Sequence, residues 1–97
     1  MEYKQGDYVL IKTWFELCEI GILSEGFIEI LIDENGLVLN ILPEMERDCG
    51  KIRMISQVNR EGDFTSYKIG DYWWTTKCFE LNELKLQTFK MKEEIGI

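Results

Sequence analysis

Ninety-seven residues, 45% of them hydrophobic and 12% aromatic, suffice for one small core and exclude both a second core and a disordered chain. A net charge of −7 argues against a nucleic-acid partner, and the lack of any histidine removes the commonest general base and the commonest metal ligand. No apolar run approaches the roughly 18 residues of a membrane span. Met1 to Gly6 has neither the basic start nor the apolar stretch of a signal peptide, so a cytoplasmic protein with no membrane partner is expected.

Gly6-Asp7 is a turn signal, and Tyr8 to Lys12 after it has strand composition. Thr13 and Glu16 form a Thr-x-x-Glu capping box, which predicts a short helix stopped near Gly21. Trp14, Leu17 and Cys18 share one face of it. Phe27 to Ile32 and Leu37 to Leu42 are apolar runs joined by Asp33-Glu34-Asn35-Gly36, the pattern of a β-hairpin. The same four residues open like a calcium loop, but Leu-Val-Leu follows where such a loop needs further spaced oxygens. Pro43 ends the second strand, and residues 44–50 read as a loop or short helical turn.

Lys51 to Asn59 is strand-like, with Ile52, Met54 and Val58 on one face and Ile55 on the other. Turns at Arg60 to Asp63 and at Gly70-Asp71 bracket a strand from Phe64 to Ile69, and Tyr72 to Thr76 forms the next. Lys77 to Leu81 reads as one helical turn. In the tail from Asn82 to Ile97, Leu84, Thr88, Met91 and Ile95 recur at spacings of three and four, which favours a helix over an extended segment. The expected fold is mainly β: a five-stranded small barrel over residues 1–81, with a short helix after the first strand and an extension over 82–97. That extension would pack on the barrel or mediate association.

Residues 4–17 and 68–81 echo each other without gaps at an offset of 64, matching at Lys4/Lys68, Gly6/Gly70, Asp7/Asp71, Tyr8/Tyr72, Phe15/Phe79, Glu16/Glu80 and Leu17/Leu81. Both copies read as turn, strand, then a helical turn that packs a Phe and a Leu. Cys18, Cys49 and Cys78 stand about thirty residues apart with no Cys-x-x-Cys pair, so no disulfide framework or zinc ribbon is expected, and packing is their expected role. The charge is uneven: residues 1–50 carry eleven acids and three bases, while 51–97 carry seven acids and eight bases.

The series Gly6-Asp7-x-Val9-x-Ile11, Trp14-Phe15-Glu16-Leu17, Pro43-Glu44-Met45, Cys49-Gly50-Lys51, Tyr67-Lys68-Ile69, Trp74 and Cys78-Phe79-Glu80 resembles small SH3-like barrel proteins of phage and prophage genomes. The resemblance covers about three quarters of the chain. It implies a strongly bent five-stranded barrel and supplies no catalytic residue, since SH3-like barrels bind peptides, proteins, nucleic acids or small ligands.

No pattern of nucleophile and base, metal ligands or phosphate-cradling glycines is present, so neither an enzyme nor a cofactor or metal site is expected. The leading expectation is a non-enzymatic binding module that occludes a host protein. Its contact surface would be Trp73, the acidic loop Glu44, Met45, Glu46 and Asp48 with Met45 at an apolar tip, and Glu16, Glu19 and Glu25. Strand alternation puts Trp74 inside and Trp73 outside. The alternative is a homo-oligomer that binds a nucleotide-like signal between protomers, with aromatics stacking a base, Lys51, Arg53 or Lys68 on phosphate, and Tyr67 among the ligand-binding residues.

Overall fold

The computed structural model describes residues 3–80, so the expected helix and extension over 82–97 lie outside the described residues. A turn with Gly6 at φ 93 leads into β1 (Tyr8–Leu10), which pairs antiparallel with β5 (Ile52–Met54), Val9 opposite Arg53. The other edge of β1 meets the end of the described chain. There Ile11 bridges Phe79, Lys12 N–H donates to Cys78 O at 2.8 Å, and Glu80 N–H donates to Leu10 O at 2.7 Å.

β5 continues into β6 (Gln57–Glu61) through a bend at Ile55-Ser56. Ile55 N–H donates to Asp7 O and Ser56 N–H to Lys68 O, both at 2.8 Å, so one bent segment belongs to two sheets. β6, β7 (Phe64–Ile69) and β8 (Tyr72–Trp74) form an antiparallel meander whose two-residue turns hold Gly62 at φ 60 and Gly70 at φ 62. After β8 a 3-10 segment, Thr76–Cys78, returns the chain to β1.

Between β1 and β5 the chain makes an excursion. Helix α1 (Trp14–Ile20) begins at the predicted capping box: Glu16 N–H donates to Thr13 Oγ1 at 3.1 Å, and Thr13 N–H donates to Glu16 Oε1 at 3.0 Å. Leu17 is buried, with Trp14 and Cys18 packed beside it. The helix ends at Gly21 because that residue touches the sheet. A Cβ there would lie 2.6 Å from Glu29 O and 2.7 Å from the Ile28 and Ile30 side chains. β2 (Ile22–Ser24), β3 (Phe27–Leu31) and β4 (Val38–Ile41) then form a three-stranded antiparallel sheet. In the turn between β3 and β4, Asp33 Oδ1 accepts from the N–H groups of Asn35 and Leu37, the Asx geometry of a turn. A second 3-10 segment, Pro43–Asp48, follows.

One core joins the two parts: Val9, Ile11, Ile55, Tyr67, Ile69, Trp74, Cys78 and Phe79 from the frame meet Leu17, Ile28, Ile30, Ile41 and Met45 from the excursion. The mainly β expectation and the helix after the first strand hold. In place of the expected five-stranded barrel, the described residues form eight strands in three sheets with no closed barrel. Two physical causes raise the six extended runs read from the sequence to eight strands. The predicted strand 51–59 is broken at Ile55, which turns inward to full burial while Met54 faces solvent. Ile22–Ser24 pairs with β3 through an unforeseen hairpin, with Glu25 at φ 51 and Gly26 at φ 91. The expected helical turn over 77–81 lies earlier, at Thr76–Cys78, because Phe79 is extended against Ile11.

The echoed segments are also unlike in packing. Phe79 is fully buried, whereas Phe15 is 72% exposed on the first turn of α1.

Candidate functional site

The residues expected to make one contact surface are distributed over the molecule. Trp74 is fully buried and Trp73 is 36% exposed, as alternation along β8 requires. Trp73 lies opposite Lys68 on the meander, a different sheet from the one beside Glu16, Glu19 and Glu25. Glu19 and Glu25 are exposed, and Glu16 is engaged in the helix cap.

The 43–48 segment is not an acidic loop with an apolar tip. Glu44 and Glu46 are exposed, but Met45 is buried in the core, and its Sδ accepts from Leu42 N–H at 3.2 Å. The tight 3-10 turn tucks the one apolar side chain inward while its neighbours face water. Asp48 is buried too. Its Oδ1 accepts from Arg53 Nε at 2.9 Å, and Arg47 Nε stands 4.0 Å from its other oxygen. Arg47 reaches on to Asp71 at 3.5 Å and over the Tyr72 ring at 5.9 Å. This loop is anchored to the meander.

The ligand-binding alternative loses two of its residues to structure. Tyr67 is buried, with its ring edge-on to Tyr3 and tilted against Phe79, and its hydroxyl accepts from Tyr3 N–H at 3.3 Å. Arg53 is committed to Asp48. Lys51 is exposed, and Lys68, next to Tyr67 on β7, faces the opposite side of that strand. Two adjoining clefts of about 260 and 370 Å³ separate the β3–β4 turn from the β6–β7 turn, sharing Ile32, Asp63 and Phe64. The nearby cation, Lys77, donates to Leu31 O at 2.6 Å. No group of metal-ligating side chains occurs among the described residues.

The thiols are built for packing. Burial first, then the neighbouring Cys78, Glu46, Asp48 and Cys18, push the Cys49 thiol up from 9.0 to about 12. Cys18 and Cys78, each about thirty residues from Cys49 in sequence, thus act on it in the fold. A thiol held protonated at neutral pH is a poor nucleophile. Unfolding returns it to its ordinary value, so between about pH 9 and 12 the unfolded chain gives up the proton first and stability falls as pH rises. Urea unfolding across that range should show Cys49→Ser with a shallower decline. Part of the slope persists through Cys78 and Tyr3, both of which burial raises as well.

The surface that stands out instead is the excursion itself. Residues 13–46 carry eight acids and no lysine or arginine. Among the described residues, the large hydrophobics most exposed to water are Phe15, Ile20, Ile22, Leu23, Leu31, Leu37 and Val38 in this segment, and only Tyr8, Met54 and Trp73 outside it. Register explains the display. Ile22 lies opposite Glu29 and Leu31 opposite Val38 on the outer face of the sheet, while Ile28 and Ile30 fill the inner one. The signal present in the sequence is the run over 13–46 that combines apolar residues with eight acids and no base.

No helix among the described residues is long and apolar enough to cross a membrane. No family model, curated protein or solved structure matches the chain.

Proposed function

We propose that this chain is a protein-binding module in which an SH3-like frame carries a docking lobe, residues 13–46. The frame reading is supported by the neighbour order 79–80, β1, 51–61, β7 and β8, five extended segments with a 3-10 turn before the last in sequence. The docking reading rests on one observation: exposed aliphatic and aromatic side chains coincide with a stretch of eight acids and no base. Large exposed apolar side chains within a charged rim are the composition of a protein interface. The sign of the rim selects a basic partner surface.

Capture from bacterial lysate on the immobilised chain tests this reading, with bound protein quantified by mass spectrometry. A stoichiometric partner should be retained by the natural chain and by Trp73→Ala, and lost by Phe15→Asp combined with Ile22→Asp. Removing anchors of this kind costs about 2 kcal/mol or more each. Release by Trp73→Ala alone, with the lobe variant still binding, would move the site to β8.

A further inference from the structure

We propose that the open edge of β2 accepts an extended segment of the partner as an added strand, and that this segment carries lysine or arginine around apolar residues. The proposal rests on the protein-binding reading and goes on to the mode of binding and the chemistry of the partner.

β2 pairs with β3 alone, so its second edge is unpaired among the described residues. The register places Ser24 opposite Phe27 across a two-residue turn, Leu23 opposite Ile28, and Ile22 opposite Glu29. In an antiparallel pair, hydrogen-bonded and non-hydrogen-bonded positions alternate, and the residues closing a two-residue turn are hydrogen-bonded. Leu23 therefore occupies a non-hydrogen-bonded position, and its N–H and C=O point away from β3 to the open edge. Exposed edges are usually guarded by lysine, proline or a bulge. The sequence Ile22-Leu23-Ser24 has neither proline nor lysine, and its pairing with β3 runs residue for residue without a bulge. Its side chains are 67% and 57% exposed at Ile22 and Leu23.

Charge selects the occupant. Glu19 precedes β2, Glu25 follows it, and Glu29 lies directly across from Ile22. A second copy paired edge to edge would bring two equally acidic rims together, and like charges brought close destabilise a strand pair. A basic segment meets the same rim with opposite charge. Main-chain bonds at Leu23 would fix its register, and side chains on both faces of Ile22 and Leu23 would supply the apolar contact.

The probe is a short synthetic peptide of alternating lysine and valine, titrated at low salt beside its glutamate–valine counterpart. Amide hydrogen exchange is read residue by residue. The lysine peptide should slow exchange at Leu23 by about tenfold or more, and the glutamate peptide should not. Leu23→Pro removes the outward N–H at an edge position where proline is tolerated, and circular dichroism confirms that it folds. Its affinity for the lysine peptide should fall about tenfold.

Binding of the lysine peptide with Leu23 exchange unchanged, and equal affinity in Leu23→Pro, would overturn strand addition while the lobe could still capture its partner through side chains. Equal protection by both peptides, or by neither, would overturn the basic partner. A peptide-free dimer abolished by Leu23→Pro would assign the edge to a second copy and overturn the proposal.

Discussion

Phe79→Ala should cost about 4 kcal/mol of folding stability, and Phe15→Ala less than about 0.5 kcal/mol. The two residues occupy matching places in the internal echo, and sequence alone gives no reason to treat them differently. The fold does. Phe79 is fully buried, with ring centroids 5.6 Å from Tyr3 and 5.8 Å from Tyr67. It also bridges Ile11 and so joins the end of the described chain to the first strand. Alanine there leaves a cavity that two neighbouring rings cannot refill without giving up their own contacts. Phe15 projects from α1 into water and loses almost nothing on truncation. Urea unfolding measures both, and Phe79→Leu provides a graded version at about 1.5 kcal/mol if alanine prevents folding. Equal costs at the two positions would mean that the echo is one of packing after all.

Gly21→Ala should cost about 3 kcal/mol, although alanine is ordinarily welcome near a helix end. The reason is contact and not conformation, since Gly21 has φ −123, open to any residue. Its hypothetical methyl would meet the carbonyl oxygen of Glu29 at 2.6 Å, and backbone cannot rotate away as a side chain can. α1 must lift from β3, which thins the contact of Leu17 with Ile28 and Ile30. Gly26→Ala is the comparison. No atom lies near its Cβ direction, but φ is 91, so its cost should be about 1 kcal/mol and purely conformational. Thermal unfolding of both variants separates the two kinds of glycine. A Gly21→Ala chain as stable as Gly26→Ala would show that the helix can tilt at little expense.

Features encoded within a few residues are legible in the sequence. The Thr13–Glu16 box, the Asp33–Gly36 turn, the Gly62 and Gly70 turns and the inward Trp74 all depend on local geometry. What escaped depends on distant partners. Met45 looks like an exposed tip until its turn is wound tightly enough to point it at the core. Asp48 looks like a surface acid until Arg53, on the next strand, closes on it. β2 was invisible because a short edge strand with apolar residues on both faces has no alternation to detect. The candidate site is hidden for a related reason: its exposed apolar surface is mostly aliphatic, and aliphatic residues in a sequence read as core.

The excursion leaves and rejoins the frame through a closed neck. Gly50 N–H donates to Ile11 O at 2.9 Å and Ile11 N–H to Lys51 O at 3.0 Å, and the lobe shares one core with the frame. A lobe fastened at both places is no hinged arm. A partner meeting it finds its shape already set, so little ordering entropy is lost on contact. Under the proposed function, this divides the kinetics. Salt should slow arrival by screening the acids, while the residence time follows the aliphatic contacts and hardly changes with ionic strength.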